Sequence, residues 1–296
     1  MSVSFGTQVP WLPSAAAQAM RGAGKPADIL AIATGTEPWN PAVQVAASLA
    51  ARWGSLLTGC FVDAALRMLR GPESEPSALG LLLDTPLRDT EEGAAFRGFA
   101  REKGVLHASW VVARSGLARV LRELGVWNSL AVLERDLVEE EAMAEVLGEA
   151  LLTCRLPSLV LPPGWDRPAH FSRVLVAWDG STEATRAIHA ALPFLQEARR
   201  VVLLDGGHRH VQEGEAYAPR FEPFLYLARH EIEPDPMCVG IPAHVAGASL
   251  LKKAEQVGAD LVVMGAFGHS RLRERVLGGA TRHVLCHARM PIFLQH

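Results

Sequence analysis

The residues best suited to chemistry lie in one stretch of the chain, "GAFGHSRLRERVLGGATRH" (265–283), which directly follows the apolar run "ADLVVM". Glycine after a strand permits positive φ and lets backbone N–H groups approach a ligand closely. A following helix N-terminus adds aligned N–H donors and a positive dipole. Gly265 and Gly268 fit that role, and Gly278 and Gly279 precede a second predicted helix start. The stretch therefore predicts two glycine-bounded helix starts that face one phosphate.

The alternative for this stretch is a set of tight turns with a solvated basic face. Its four arginines raise the local positive potential under either interpretation; they are Arg271, Arg273, Arg275 and Arg282. The paired glycines favour phosphate binding. Other phosphate signatures are absent: the chain has neither G-x-x-x-x-G-K-[ST] nor G-x-G-x-x-G. It also lacks the G-x-S-x-G turn that carries a nucleophilic serine.

The elements that position this stretch occur twice along the chain. "ILAIATGTE" (29–37) and "VLVAWDGSTE" (174–183) are apolar runs that end in a small-residue turn and precede a helical pattern. "NSLAVLERD" (128–136) corresponds in the same way to "ADLVVMGAFG" (259–268). Each half then closes on a proline-marked strand, "RLPSLVLPP" and "RMPIFLQH". The repetition predicts a tandem duplication, with "PPGWDRPAH" as its linker.

The alternation of strands and helices predicts an α/β fold with two doubly wound domains, each a mostly parallel five-stranded sheet with helices on both faces. The predicted division is an N-terminal extension over 1–26, one domain over 27–165 and a second over 170–296. Ligands of such sheets bind at the carboxyl ends of the strands, near the switch in strand order. The chemistry is therefore expected at "AWDGS" and "MGAFGHS". Residues 207–240 are read as a variable stretch that could cover a pocket or mediate a contact.

The segment "DLVVMGAFGHSRLRERVLGGATRHVL…MPIFL" resembles the C-terminal signature of universal stress protein domains. That signature is G, two residues, G, nine residues, G and then Ser or Thr, and the glycines at 265, 268 and 278 match its spacing. "RVLVAWDGS" is similar to the family's first strand, with Asp179 in place of its typical aspartate. The resemblance covers most of 171–296, whereas in 27–163 it rests on architecture. The chain thus resembles a tandem universal stress protein, with the adenine nucleotide alpha hydrolase-like fold.

The resemblance implies binding of ATP, or of AMP or ADP, with Mg as a possible companion. Ala177, Asp179 and the backbone near Gly206 would frame the adenosine. The residues implied along the phosphates are Gly265, Gly268, His269, Gly278, Gly279 and Ala280, with Thr281 close by. Two positions depart from the family pattern. Gly279 stands where the signature has Ser or Thr, and "LLDGGH" places Asp205 where many members have His-Val.

The first half lacks these features. Thr34 stands where the second half has Asp179, and Glu134 and Leu137 stand where it has Gly265 and Gly268. Acidic residues surround the corresponding phosphate position; they are Asp136, Glu139, Glu140, Glu141 and Glu145. Because negative charge repels a polyphosphate, we expect no nucleotide site here. The half is expected to serve as a built-in partner in an internal pseudo-dimer. Because single-domain members of the family tend to dimerise through the last strand, the resemblance implies that "PSLVLPP" and "PIFLQH" pair edge to edge, with a homodimer also open.

Composition limits the functional class. The chain has 296 residues, 49% apolar and 21% charged, with a net charge of -3. That balance argues against wholesale binding to nucleic acid or to an anionic membrane, and no apolar run reaches membrane-spanning length. Four dispersed cysteines indicate reduced thiols in a cytoplasmic protein. "HRH" (208–210) could join His230, Glu213 or Glu215 as metal ligands, but the spacing matches no strong signature, so no metal site is expected.

Three functions are consistent with these observations. The leading hypothesis is a non-enzymatic stress-response protein that binds adenine nucleotide in its second half and acts through conformation or partners. The second is a nucleotide-independent scaffold in which the glycine-rich stretch is only a turn. The third is a slow ATP hydrolase, against which the chain offers no evident pair of positioned acid and base; Asp179 is the obvious loop carboxylate of the implied site. We therefore expect no catalytic residue.

Overall fold

The computed structural model shows one sheet of ten strands with helices on both faces. It describes these parts of the chain: 24–63, 89–113, 115–135, 147–148, 150–151, 154–206, 222–238, 246–266 and 279–296. In chain order the elements are β1 Asp28–Ala33, α1 Pro41–Trp53, β2 Leu56–Phe61, α2 Asp89–Glu102, β3 Ala108–Val112, α3 Leu117–Gly125, β4 Leu130–Glu134, β5 Ser158–Leu161, β6 Arg173–Trp178, α4 Thr182–Glu197, β7 Arg200–Asp205, α5 Pro223–Arg229, β8 Asp235–Cys238, α6 Ala246–Val257, β9 Leu261–Gly265, α7 Gly279–His287 and β10 Ile292–Gln295.

The sheet repeats one strand order in its two halves. The full order is β3-β2-β1-β4-β5-β10-β9-β6-β7-β8, so β1–β5 (the first half) and β6–β10 (the second half) are arranged alike. Pairing within each half is parallel, and the halves join where β5 meets β10 antiparallel, with Leu159 opposite Phe293. This junction confirms the predicted edge-to-edge pairing within one chain. It also places the carboxyl edge of the first half beside the amino edge of the second.

The core lies on both faces of the sheet, and the central strands β4 and β5 bury every residue. The burial of β4 and β5 is continuous, as expected when helices cover both sides. One face carries the buried side chains of α1, α2, α4 and α5, and the opposite face those of α3, α6 and α7. This is the predicted α/β architecture, with the two predicted five-strand sets joined into one sheet.

Helix ends follow local sequence signals. Pro41 occupies the first turn of α1, where its missing N–H costs nothing, and Gly54 ends that helix with φ +68°. The hydroxyl of Ser181 accepts from the backbone N–H of Ala184 and so caps α4. The two helices meet across the halves: Trp53 Nε1 donates to Glu197 Oε1 at 2.6 Å, and the rings of Trp53 and Phe194 are 4.9 Å apart edge to face.

The edge strands were not located by the sequence patterns. β3 and β8 are short and form the two outer edges of the sheet. β8 and the helix α5 fall inside 207–240, so part of that predicted variable stretch has regular structure. Pro236 within β8 is compatible with an edge strand, where one side needs no ladder hydrogen bond. Among the described helices, none has the length and apolar character needed to cross a membrane.

Candidate functional site

Three of the predicted site positions meet at the carboxyl edge of the second half. Asp179 follows β6, Gly206 follows β7, and Gly265 ends β9. The N–H of Gly206 donates to the carbonyl oxygen of Trp178 at 2.9 Å, and a Cβ built on Gly206 would lie 3.9 Å from the Cα of Asp179. The strand order switches between β6 and β9, so these residues lie at the position where doubly wound sheets bind ligands.

The turn after β6 fixes the position of the Asp179 carboxylate. Its Oδ1 accepts from the N–H of Ser181 at 3.0 Å, and Gly180 between them has φ +84°. An Asp side chain that accepts from the backbone two residues on forms a local turn that orders the carboxylate. The turn thereby holds this acid beside the first residues of α4. Asp205, the acid that departs from the family pattern, ends β7 in register with Trp178.

The structure gives a different reason for glycine at position 265 from the one expected. Gly265 is not among the described residues with positive φ. Instead, α4 lies directly against it: a Cβ here would be 2.6 Å from the carbonyl carbon of Glu183 and 2.9 Å from the Cα of Ala184. The missing side chain therefore lets the N-terminus of α4 pack onto the end of β9. The close approach is made by a helix of the same chain.

The second predicted helix is present, and its described residues are Gly279–His287 of α7. Gly279 is exposed, and a Cβ built on it meets nothing within 4 Å. Ala280 faces α6, where a Cβ on Gly247 would lie 2.8 Å from the Ala280 carbonyl oxygen. Thr281 is 4% exposed, so its side chain points into the protein rather than toward solvent. Of these three residues, Gly279 presents the most open surface.

The remaining site positions divide into two groups. Ala177 lies on β6 and packs against the core on the face that α6 covers. Gly268, His269 and Gly278 lie outside the described residues, as do Arg271, Arg273 and Arg275. The structure thus brings Ala177, Asp179, Gly206 and Gly265 together at one edge. It places Gly279, Ala280 and Thr281 at the beginning of the described part of α7.

The corresponding edge of the first half carries a buried polar network. Val132 pairs with Ala31 as Val263 pairs with Val176, so two residues further on Glu134 occupies the place of Gly265. Glu134 is 5% exposed and accepts a hydrogen bond from Asn40 Nδ2.

Asn40 occupies the N-cap position of α1, yet its side chain makes no capping bond. It bonds across the switch between β1 and β4 instead: Nδ2 also donates to the Ile32 carbonyl at 3.2 Å, and Oδ1 accepts from the N–H of Thr34 at 3.3 Å. Side chains therefore close the position where the second half has glycine. Sequence reasoning identified Glu134 but missed Asn40, because Asn before a helix is equally typical of an ordinary cap.

The candidate metal ligands do not form a cluster in the part of the chain that the structure describes. Within those residues, no group of three or more His, Cys, Asp or Glu could hold a metal ion. His230 packs against Tyr226 at 4.8 Å between ring centroids, and Tyr226 stacks on His189. Burial, and secondarily the charge of His230, lower the pKa of His189. His208, His210, Glu213 and Glu215 lie outside the described residues.

Comparison with known proteins agrees with the sequence resemblance in the second half. The universal stress protein family model matches residues 238–295, which include β9, α7 and β10. No curated protein sequence matches the chain significantly.

Solved structures extend the likeness to the whole fold. A universal stress protein from Archaeoglobus fulgidus DSM 4304 aligns with a TM-score of 0.59 and 14% identity, over 90% of this chain and 95% of that chain. A functionally unknown protein from Pseudomonas aeruginosa PAO1 aligns with a TM-score of 0.56 and 15% identity, over 94% of each chain. The C-terminal region therefore matches the universal stress protein family, and most of the chain has the fold of a universal stress protein structure.

Proposed function

We propose that this protein is a cytoplasmic stress-response protein that binds ATP or a related adenine nucleotide in its second half. The observation that carries the proposal is the position of the segment that matches the family model. That segment includes β9, which ends at the switch in strand order beside Asp179, and α7, which begins at the open residue Gly279. A carboxylate held by its own turn and an exposed helix start supply the two kinds of group that a nucleotide needs.

The adenosine end would bind at Ala177, Asp179 and the backbone of Gly206. The residues fit this role because the Asp179 carboxylate is ordered by Ser181 and Gly206 leaves the adjoining space clear of a side chain. A carboxylate is a strong acceptor for ribose hydroxyls. The phosphates would bind along the glycine signature, for which the proposed residues are Gly265, Gly268, His269, Gly278, Gly279, Ala280 and Thr281, with Mg as an additional counterion.

The open surface at Gly279 suits phosphate binding, whereas the missing side chain lowers the affinity that we expect. Gly279 is the first described residue of α7, and we infer that its backbone N–H is one of those that a helix start leaves without a partner within the helix. The surface over it is open, and Arg282 on the same helix is exposed. However, glycine lacks the hydroxyl that the family signature provides here. We therefore infer a site of reduced rather than abolished phosphate affinity.

The first half would act as a structural partner. We propose two universal stress protein domains in one chain, over 27–165 and 170–296, of which only the second binds nucleotide. The buried pair of Asn40 and Glu134 supports this division, because it places a carboxylate and side-chain atoms where a bound phosphate would need open backbone. The function would then lie in the conformation or partners of the liganded chain.

Mass spectrometry of the small molecules released when the purified protein is denatured tests the proposal. We expect an adenine nucleotide, together with a raised melting temperature in Mg-ATP. Asp179→Asn should reduce the retained nucleotide, whereas Thr34→Ala, at the matching position of the first half, should leave it unchanged. Protein that retains none and shows no thermal shift would instead be a scaffold. Phosphate release that Asp179→Ala abolishes would identify a hydrolase.

A further inference from the structure

One arginine of the first half contacts the helix that carries the glycine signature in the second. Arg135 directly follows β4, and its Nη1 donates to the carbonyl oxygens of Leu285 and Ala288 at 3.1 and 2.8 Å. Both carbonyls lie at the C-terminal end of α7. The contact joins residues 150 positions apart and crosses between the halves.

The antiparallel junction explains how this contact arises. Because β5 and β10 run in opposite directions, the carboxyl end of β4 lies at the edge of the sheet where β10 begins. α7 ends at that edge, since it leads through Ala288 and Pro291 into β10. A long side chain that follows β4 can therefore reach the end of α7, whose start belongs to the opposite, carboxyl edge of the second half.

The contact satisfies groups that a helix leaves without partners. The last four carbonyl oxygens of an α-helix accept no hydrogen bond from an N–H of the same helix. The helix dipole favours a positive charge near them. In α7 the carbonyl of Val284 accepts from the N–H of Ala288, while that of Leu285 accepts from Arg135. The arginine thus caps the end of α7, whose described residues Gly279–His287 include the β-branched Thr281.

The reciprocal position lacks such a cation. Ala266 follows β9 as Arg135 follows β4, and its carbonyl accepts from His296 at 3.2 Å. The corresponding contact onto the first half comes from Gln295, whose Nε2 donates to the carbonyl of Arg155 at 3.0 Å. Among the residues that the structure describes, the charged contact therefore runs from the half without the glycine signature to the half that has it.

The opposite end of α7 is fixed by close packing. Gly247 of α6 packs closely against α7: a Cβ at this position would lie 2.7 Å from the Cβ of His283 and 2.8 Å from the carbonyl oxygen of Ala280. α7 is thereby fixed near its start by α6 and near its end by Arg135. The orientation of the N–H groups at Gly279 depends on both contacts.

We propose that Arg135 is a positioning residue for the phosphate site: it holds the C-terminal end of α7 so that the N-terminal part of the helix, at Gly279, is presented to the phosphates. The inference rests on the proposed function. A helix that samples the binding conformation for a smaller fraction of the time binds with proportionally lower affinity. Coupling is reciprocal, so nucleotide at the start of α7 in turn strengthens the contact of its end with the first half.

The test compares the full chain with Arg135→Met, Arg135→Lys and Arg119→Met. Met keeps an apolar stem but removes the donors, and Lys retains the charge with a different shape. Arg119→Met is the matched control, because Arg119 pairs with Glu123 on the surface of α3 at 2.7 Å. Two quantities are measured: the Kd for Mg-ATP by calorimetry, and amide hydrogen exchange of 279–290 without nucleotide.

For Arg135→Met we expect a Kd raised by about tenfold, because the loss of both hydrogen bonds lowers the population of the binding conformation of α7, and faster exchange toward the end of α7. Arg135→Lys should recover part of both effects, and Arg119→Met should match the wild type. An unchanged Kd for Mg-ATP in Arg135→Met would overturn the proposal, and so would unchanged exchange in α7. If the wild type binds no Mg-ATP, the proposed function fails, while the exchange data still decide whether Arg135 positions the helix.

Discussion

Gly265 lies directly against Ala184, so that the end of β9 and the first turn of α4 occupy adjoining space that no side chain separates. The same turn of α4 is capped by Ser181, which also donates its backbone N–H to Asp179. One contact of a glycine with a helix therefore sets the distance between the proposed phosphate segment and the proposed adenosine carboxylate. Packing within the fold is therefore sufficient to require glycine at position 265 of this chain.

Gly265→Ala should destabilise the protein, because the added Cβ would overlap backbone atoms of Glu183 and Ala184. Overpacking of this kind costs about 1–3 kcal/mol in the free energy of unfolding. Gly279→Ala is the matched control: a Cβ there meets nothing within 4 Å, and alanine favours helix by up to about 1 kcal/mol. Urea denaturation measures both. Equal stability of the two variants would contradict the close packing of α4 on β9.

Gly279→Ser should strengthen nucleotide binding, because it restores the hydroxyl that the family signature has at this position. The space is open and the residue is exposed, so the substitution requires no rearrangement. One added hydrogen bond predicts a gain of roughly 0.5–1.5 kcal/mol, several-fold in Kd. Calorimetric titration with Mg-ATP measures the gain, and Gly279→Ala separates the hydroxyl from the effect on the helix. If serine and alanine bind alike, the phosphates do not contact this position.

Asp179 should show separable structural and binding roles. Asp179→Asn retains an oxygen that can accept from the N–H of Ser181 at 3.0 Å, so we expect near-native stability. Asp179→Ala removes that acceptor and should cost about 1 kcal/mol in the free energy of unfolding. Both should weaken Mg-ATP binding, because neither provides a carboxylate. Tight binding by Asp179→Asn would show that the charge is not required.

Phe194→Ala should destabilise the chain strongly and leave a single unfolding transition. Phe194 is 2% exposed, and its ring lies 4.9 Å from that of Trp53 in the first half and 5.5 Å from that of Phe293. Truncating a buried phenylalanine costs about 3–5 kcal/mol. Leu225→Ala, at a residue 56% exposed, should change stability by less than about 0.5 kcal/mol. Calorimetry that resolves two independent transitions would contradict a core shared by the halves.

Stability should fall as pH rises above 9, because burial raises the pKa of the Cys60 thiol from 9.0 to about 12. The thiol stays protonated in the folded protein in this range, while it ionises in the unfolded chain. The stabilisation is therefore complete below the unfolded pKa and is lost as pH rises toward the folded one, by up to about 1.4 kcal/mol per pH unit. Urea midpoints between pH 8.5 and 10.5, compared with Cys60→Ala, measure this loss. An identical slope in the variant would remove Cys60 as its cause.

Local patterns predicted the repeated half, the predominantly parallel sheet and the helix α7, because each depends on residues near one another in sequence. The pairing of β5 with β10 was expected from the family resemblance rather than from a local pattern. The edge strands escaped detection. β3 and β8 are short and partly exposed or interrupted by proline, so they lack the continuous apolar run that marked the central strands.

The sequence by itself determined the fold class and the two matched halves, because hydrophobic periodicity is a local property. It also determined that one strand switch has a glycine, Gly265, where the other has an acid, Glu134, because residue type is local as well. Only the tertiary structure decided which residues contact one another at these positions. Asn40 and Glu134 are 94 positions apart, and Arg135 reaches α7 only because the sheet is joined by an antiparallel pair. Position 265 likewise requires glycine because it packs against α4, a helix that begins more than eighty positions earlier. Contacts at such separations depend on how the strands are ordered, and no local pattern encodes them.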